Sequence, residues 1–208
     1  MFRPPRLRID ERDIETRLHQ LGLEMEGLRR VAQAAVYARN DVTANDPQTA
    51  AGWDAWRYGI RVMRETFCGE EWRCYRKDGV EGIVNHEKKI RVLFMNVDKA
   101  ADKNIFPRAC SPKGIAVQRA VVGQPTLFPE IFPELEEVEE YKTWFLMVEA
   151  NGDQVCAELS MITEISGKVL EGFIERIFIA RAEMINDFEV DNIEDEVVEF
   201  DIEITRKQ

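Results

Sequence analysis

The run of nine residues from 90 to 98 is the stretch that most constrains the fold of this chain. Successive side chains of a strand point to opposite faces, which would put Ile90, Val92, Phe94 and Asn96 on one face and Arg91, Leu93, Met95 and Val97 on the other. Both faces are mostly apolar, so both must be covered by other parts of the chain. The shortness of the run and its β-branched and aromatic content favour a strand over a helix. The run therefore predicts an interior strand of a sheet.

Six further strands are expected around this one. Residues 71–76 and 80–84, joined by the turn Lys77-Asp78-Gly79, would form an antiparallel meander with it. The remaining strands are expected at residues 143–149, 154–162, 173–180 and 197–204. Together with helical patterns before residue 70, they predict an α+β fold in which N-terminal helices pack on a mostly antiparallel sheet of six to seven strands.

The same patterns divide the chain into four parts. Residues 1–70 are expected to be helical, and residues 71–123 to supply the first strands and a short helix at 115–122. Residues 124–141 carry prolines at every fourth position followed by a run of glutamates, which predicts an exposed linker. Residues 142–208 are expected to be acidic strands that complete the sheet.

The first helical pattern is an amphipathic stripe with alternating steps of three and four residues. Its members are Ile14, Leu18, Leu21, Met25, Leu28, Ala32 and Ala35. Gly22 weakens a helix interior, so a break into two helices near that residue is one expectation. The stripe is open to two interpretations. It could join copies of the chain in a coiled coil, with Leu18, Leu21, Met25 and Leu28 as the oligomer contact, or it could lie on the chain's own sheet.

The second helical pattern begins near Asp46-Pro47, where Asp46 could cap the helix and Pro47 could occupy its first position, and it extends to about Phe67. One face carries Trp53, Trp56, Ile60, Met63 and Phe67, and another carries Arg57, Arg61 and Arg64. The tryptophans are expected to pack in the core, although paired tryptophans could also stack on bases. The arginine row is a solvated face or a weak contact to nucleic acid phosphates.

The net charge of −11 is unevenly distributed along the 208 residues. Residues 1–123 contain 22 Lys and Arg against 17 Asp and Glu, whereas residues 124–208 contain 6 against 22. This asymmetry indicates halves that attract each other, or one half that faces an anionic partner, or an acidic surface that serves solubility alone. Residues 183–203 contain ten acidic side chains and no basic one, so imitation of DNA by an acidic inhibitor is one alternative function.

The cysteines and the hydropathy of the sequence indicate the cellular compartment of the protein. The four cysteines form no CxxC pair and the chain has only two histidines, so we expect reduced thiols and predict neither a metal nor a cofactor. No apolar run has the length of a signal peptide core or of a membrane span, and the expectation is a cytoplasmic protein.

Several short strings carry a resemblance to known proteins. They are Ala38-Arg39-Asn40-Asp41 with Thr43-Ala44-Asn45-Asp46-Pro47, Asn85-His86-Glu87-Lys88-Lys89-Ile90-Arg91, Asn96-Val97-Asp98, Ser111-Pro112-Lys113-Gly114 and Ala157-Glu158-Leu159-Ser160. With these strings the chain resembles a group of uncharacterised bacterial proteins found near plasmid, prophage and other mobile-element genes. The group has no assigned activity. The resemblance implies a bacterial cytosolic protein concerned with DNA maintenance, defence or counter-defence.

The most specific binding motif is the pentapeptide Gln124-Pro125-Thr126-Leu127-Phe128. It resembles the peptide with which bacterial replication and repair proteins dock on the DNA polymerase sliding clamp. In such a peptide the Leu and Phe side chains fill an apolar pocket and the Gln amide hydrogen-bonds at its rim, so a few anchors carry most of the binding energy. The sequence therefore predicts Gln124, Leu127 and Phe128 as partner-binding residues; the alternative is that Leu127 and Phe128 fold back onto the sheet.

A catalytic group is the competing interpretation. His86, Glu87, Lys89 and Asp98, with Asp78 nearby, contain the Glu-x-Lys spacing of metal-dependent nucleases, in which carboxylates hold a divalent cation and the lysine steadies the attacking water. That motif normally lies inside a strand, whereas here it falls in a turn between two strands.

A phosphate site is a further candidate. Arg108 and Lys113 precede the short helix at 115–122, whose N-terminus could seat a phosphate.

Taken together, the sequence predicts a non-enzymatic interaction protein of a mobile element or defence system. A metal-dependent nuclease and a DNA mimic are the alternatives.

Overall fold

In the part of the chain that the structure describes, the body of the protein is a seven-stranded sheet. Helices cover one face of the sheet, and a short helix, a hairpin and a loop cover the other. The computed structural model describes residues 4–122 and 141–184. The elements in chain order are β1 (Arg6–Arg8), α1 (Glu11–Leu21), α2 (Met25–Asn40), α3 (Ala50–Phe67), β2 (Arg73–Lys77), β3 (Val80–Asn85), β4 (Ile90–Asn96), α4 (Ile115–Val122), β5 (Lys142–Asn151), β6 (Gln154–Met161), β7 (Glu164–Ser166), β8 (Val169–Glu171) and β9 (Glu175–Met184). The α+β class with N-terminal helices is confirmed.

The strand order of the main sheet is β1-β9-β6-β5-β4-β3-β2, and β7 and β8 form a separate two-stranded sheet. The expected meander of β2, β3 and β4 is antiparallel, as are the pairs β5–β6 and β6–β9. However, β4 and β5 are parallel, and so are β1 and β9. The sheet is therefore mixed, and the prediction of a mostly antiparallel one is wrong. The connection from β4 to β5 is long enough to include α4, which allows the chain to return to the same end of the sheet.

The interior position predicted for residues 90–98 is confirmed, since β4 lies between β3 and β5. Its side chains Ile90, Val92 and Phe94 join the core beneath the helices. On the opposite face, Leu93, Met95 and Val97 join a second core. That core also contains residues of α4 and of the β7–β8 hairpin. Both apolar faces are thus covered within the chain.

The first helical pattern divides at Gly22. This residue has φ +73°, a left-handed conformation that glycine adopts without strain. The Gly22 N–H donates to His19 O and the Leu23 N–H donates to Leu18 O, the pairing of a Schellman motif that ends α1. The stripe residues Leu18, Leu21 and Leu28 are almost fully buried, and Met25 packs against the same core. The stripe therefore lies on the chain's own sheet, as the second interpretation predicted, and is not free to join copies of the chain.

The start of α3 differs from the prediction. The helix begins at Ala50, because the Asp46 carboxylate accepts hydrogen bonds from the Thr43 N–H and the Thr43 hydroxyl, both at 2.8 Å, and so closes a preceding turn. The Ile60 and Met63 side chains are buried as expected. Trp53 is an exception, because 59% of it is exposed.

Strand β1 has no counterpart among the predicted strands. Among the described strands its only hydrogen-bonded neighbour is β9, and the buried Arg8 pairs with Glu175 and Asp13. Arg17 of α1 also pairs with Glu175, at 2.9 Å. Burial raises the pKa of Glu175, but hydrogen bonds from Arg8 and Arg17 outweigh that effect and hold the pKa below its ordinary value. This charge cluster fixes the N-terminus of the described chain to the sheet.

Some predicted features lie outside the described residues. They are the docking pentapeptide and its linker, the strand expected at 197–204 and nearly all of the acidic stretch 183–203. Within the described ranges, no helix has both the length and the apolar character needed to cross a membrane.

Candidate functional site

A network of buried polar groups joins the end of α4 to the start of β5, on either side of residues 123–140. Its centre is Arg91 of β4, which is 8% exposed. The Arg91 guanidinium donates to the Thr143 hydroxyl at 2.7 Å, to the Tyr75 hydroxyl at 2.9 Å and to the Ala120 carbonyl. The Thr143 hydroxyl donates to the same Ala120 carbonyl. We call this set, Tyr75, Arg91, Ala120 and Thr143, the segment base.

The strand pairing explains why these residues meet. Arg91 and Thr143 are directly opposite each other in the parallel pair of β4 and β5. Their side chains point to the same face of the sheet, the face that α4 covers. The guanidinium also lies 5.3 Å from the Tyr75 ring centroid and 5.9 Å from that of Tyr141, which favours a cation there. No carboxylate within the described residues pairs with Arg91, so neutral acceptors and aromatic rings satisfy this buried charge.

His86 contacts Tyr141, whose ring lies beside Arg91 of the segment base. It lies in the turn between β3 and β4, and its Nδ1 is 2.7 Å from the Tyr141 hydroxyl. The two rings meet edge to face with centroids 5.9 Å apart. The backbone continues the contact, because the Lys142 N–H donates to the Lys89 carbonyl at 3.0 Å. The turn between β3 and β4 is therefore attached to Tyr141 and Lys142, the first described residues after 123–140.

The predicted catalytic group is not brought together. His86, Glu87 and Lys89 lie exposed in the turn before β4, whereas Asp98 follows the other end of that strand. A strand rises about 3.3 Å per residue, so Lys89 and Asp98 are roughly 30 Å apart. Asp98 accepts instead from the Arg108 N–H at 2.8 Å. Within residues 4–122 and 141–184, no three His, Cys, Asp or Glu side chains come close enough to hold a metal ion.

The predicted phosphate-binding residues lie beside the β7–β8 hairpin. Arg108 forms an isolated bridge with Val169, and the Lys113 N–H donates to the Gly167 carbonyl at 2.9 Å. The Lys113 amine is 3.4 Å from the Ser111 hydroxyl, and burial lowers the pKa of this lysine. Because α4 begins at Ile115 as expected, Lys113 does precede a helix N-terminus. The described contacts of Arg108 and Lys113 tie the loop after β4 to the hairpin.

The arginine row of α3 is divided by the fold. Arg64 donates to the Glu81 carboxylate, to Tyr75 O at 2.9 Å and to Gly82 O at 3.3 Å, so it links α3 to the meander rather than facing a partner. Arg57 and Arg61 are exposed. Only the first two arginines therefore remain available as surface contacts.

Two buried glutamates lie on the face of the main sheet that α4 covers, and neither was predicted. Glu158 is fully buried and holds Arg176, which is 1% exposed, through two hydrogen bonds of 2.6 and 2.9 Å. Glu158 also accepts from the Ala101 N–H at 2.8 Å, and Glu149 accepts from the Ala100 N–H at 2.9 Å. These carboxylates position the loop that follows β4. The sequence signal was a charged residue inside an apolar strand, visible in Ala157-Glu158-Leu159 and in Glu175-Arg176-Ile177.

A small cavity of about 140 Å³ lies where β4 and β5 end. Its polar lining residues are Arg39, Asn96, Asp98 and Cys110. Cys110 is exposed, and partial burial of its thiol raises the pKa of that group. The Asn96 side chain donates to Gly52 O at 2.9 Å and so links this end of β4 to α3.

All four cysteines are free. Cys68 Sγ and Cys74 Sγ lie 3.6 Å apart beyond the end of α3. Burial and the hydrogen bond with Cys74 raise the pKa of Cys68 to about 11, so this thiol stays protonated near neutral pH.

Comparison of the chain with models of protein families, with curated proteins and with solved structures finds no match in any of the three.

Proposed function

We propose that this chain is an interaction protein of a bacterial mobile element or defence system that docks on the DNA polymerase sliding clamp through Gln124, Leu127 and Phe128. The pentapeptide 124–128 begins two residues after α4 ends. It lies between the two parts of the fold that the segment base joins. This position is the observation that carries the proposal.

The segment base supports docking by reducing the entropy that binding must overcome. Arg91 and Thr143 both bind the Ala120 carbonyl, so the last turn of α4 and the first residues of β5 have fixed relative positions. Holding the two ends of a peptide-bearing segment limits the conformations that the free protein can adopt, and preorganisation of this kind increases affinity. The pentapeptide supplies the anchors, and the fold supplies a rigid support.

The nuclease alternative requires at least two carboxylates and a lysine in one cleft. Glu87 and Lys89 precede β4 and Asp98 follows its other end, which argues against such a site. Imitation of DNA by residues 183–203 stays a prediction from the sequence.

An affinity pull-down from bacterial lysate tests the proposal without assuming the partner. The baits are the wild-type chain, the triple variant Gln124→Ala, Leu127→Ala, Phe128→Ala, and a matched control that replaces Glu130, Ile131 and Phe132 of the same linker by alanine. Bound proteins are identified by mass spectrometry. We expect the clamp with the wild type and with the control, and its loss from the triple variant. Recovery of the same proteins by all three baits, without a clamp among them, would contradict the proposal.

A further inference from the structure

We infer that the exposed face of α3 binds single-stranded nucleic acid, with Trp53 stacking on a base and Arg57 and Arg61 contacting the neighbouring phosphates. This inference does not depend on the pentapeptide or on the clamp. Helix α3 packs on the face of the main sheet opposite to α4. Trp53, Arg57 and Arg61 do not belong to the segment base.

Trp53 is the first observation. It is 59% exposed, whereas Trp56 is partly buried and Trp72 and Trp144 are 3% and 1% exposed. The Trp53 ring rests against Trp56 with centroids 5.1 Å apart and an interplanar angle of 36°. Trp56 itself packs on the core. Trp53 is therefore a large apolar surface held from behind by a fixed neighbour, which is what a base-stacking platform requires.

The second observation is the row of cations beside this ring. Arg57 and Arg61 follow Trp53 by four and eight residues, so all three lie on one side of the helix, over a length of about 12 Å. The two guanidinium groups lie 4.7 and 5.1 Å from the Tyr58 ring centroid, which orients them along the helix. Arg57 also pairs with Asp54 at 3.2 Å, whereas Arg61 has no carboxylate partner in the described chain.

The charge distribution favours a polyanion over an acidic or neutral peptide at this face. Residues 4–122 and 141–184 together contain 25 Lys and Arg against 24 Asp and Glu, a balance of +1, so the other residues carry −12 and account for the whole of the net charge of −11. The folded body does not repel nucleic acid as a whole. An exposed indole with two adjacent guanidinium groups matches the repeating base and phosphate of a single strand, in which the bases are free to stack.

Fluorescence anisotropy with labelled oligothymidylate and oligouridylate of about 12 nucleotides tests this inference, since single-strand sites span about 4 to 16 nucleotides. The measurements use the full chain at several salt concentrations, with no clamp present. The variants are Trp53→Ala and the pair Arg57→Gln with Arg61→Gln. The pair Arg6→Gln with Arg12→Gln is the charge-matched control, because both arginines are exposed and belong to β1 and α1, whereas α3 packs on β3 and β4. Thermal unfolding of each variant verifies that it is folded.

We expect binding that weakens with salt, with a Kd within the range of about 10⁻⁴ to 10⁻⁶ M that is usual for sequence-independent contacts. Trp53→Ala should weaken it by about tenfold or more, the loss expected when one stacked base is released. The Arg57/Arg61 pair should weaken it and flatten the salt dependence, and the control pair should change it little. The oligonucleotide bound more tightly identifies the polymer as DNA or RNA. Absence of binding by the wild type, an unchanged affinity in folded Trp53→Ala, or equal losses in both arginine pairs would overturn the inference.

Discussion

Replacement of Arg176 by Met is expected to lower the free energy of unfolding by about 3–5 kcal/mol, because it leaves the Glu158 carboxylate buried without its cation. Both side chains are almost completely excluded from solvent, with exposures of 1% and 0%. The guanidinium also contacts the Ile105 carbonyl at 3.3 Å and lies within 5.6 Å of the ring centroids of Phe106, Phe173 and Phe178. Its loss therefore loosens the loop after β4 as well as the pair itself.

Urea unfolding measures this effect, with an unchanged m-value as the sign that the same surface is exposed on unfolding. The double variant Arg176→Met, Glu158→Met is the control. It removes both charges, so it should be less destabilised than the sum of the two single variants. If Arg176→Met alone is too unstable to study, the double variant is compared with Glu158→Met, and it should be the more stable of the two because neither charge of the pair is then left buried alone. A loss below about 1 kcal/mol in Arg176→Met would mean that the pair contributes no more than a solvent-exposed salt bridge, which contradicts its burial.

Replacement of Arg91 by Met is expected to lower the free energy of unfolding by about 1–3 kcal/mol, because it removes the shared donor of the segment base. The Tyr75 hydroxyl loses its donor, whereas the Ala120 carbonyl keeps the hydrogen bond from Thr143. Met retains much of the apolar stem, so the change acts mainly through the hydrogen bonds and the charge. Denaturant unfolding is again the measurement.

Thr143→Val provides the comparison for Arg91→Met. It removes one hydroxyl and leaves the guanidinium bonded to Ala120 and Tyr75, so the expected loss is smaller, about 1 kcal/mol. Clamp affinity should fall severalfold in Arg91→Met, since the ends of the segment are then less well fixed. Equal stability of Arg91→Met and wild type would show that the network does not hold α4 to β5.

The alternation of residues 90–98 was sufficient to predict an interior strand, because both faces of that run are apolar and the structure covers both. The break at Gly22 was also foreseeable, since a glycine interrupts an otherwise regular helical stripe. Parallel pairing of β4 with β5 was not, because the side-chain alternation of a strand is the same in parallel and antiparallel sheets. Strand β1 escaped prediction because three residues with two arginines carry no strand pattern; its position depends on the distant Glu175.

Only part of the candidate site could be predicted from the sequence, because its residues are far apart in the chain. His86 could be singled out by residue type, but its partner Tyr141 lies 55 residues away in the chain. The Arg91 network likewise joins residues from β2, β4, α4 and β5, which no local pattern brings together. Trp53 was expected in the core because its helical spacing matches that of Trp56 and Ile60. The position of α3 on the sheet leaves that one ring outside.

The most direct test of the proposed docking is a titration of purified sliding clamp with the full chain, comparing the wild type with the triple variant Gln124→Ala, Leu127→Ala, Phe128→Ala by isothermal titration calorimetry. Binding anchors of this kind contribute about 2 kcal/mol or more, so we expect the triple variant to bind at least about thirtyfold more weakly. The linker control with alanine at residues 130–132 should bind as the wild type does. Equal affinities for the wild type and the triple variant, or no heat of binding with the wild type, would contradict the proposal that this chain docks on the clamp through residues 124–128.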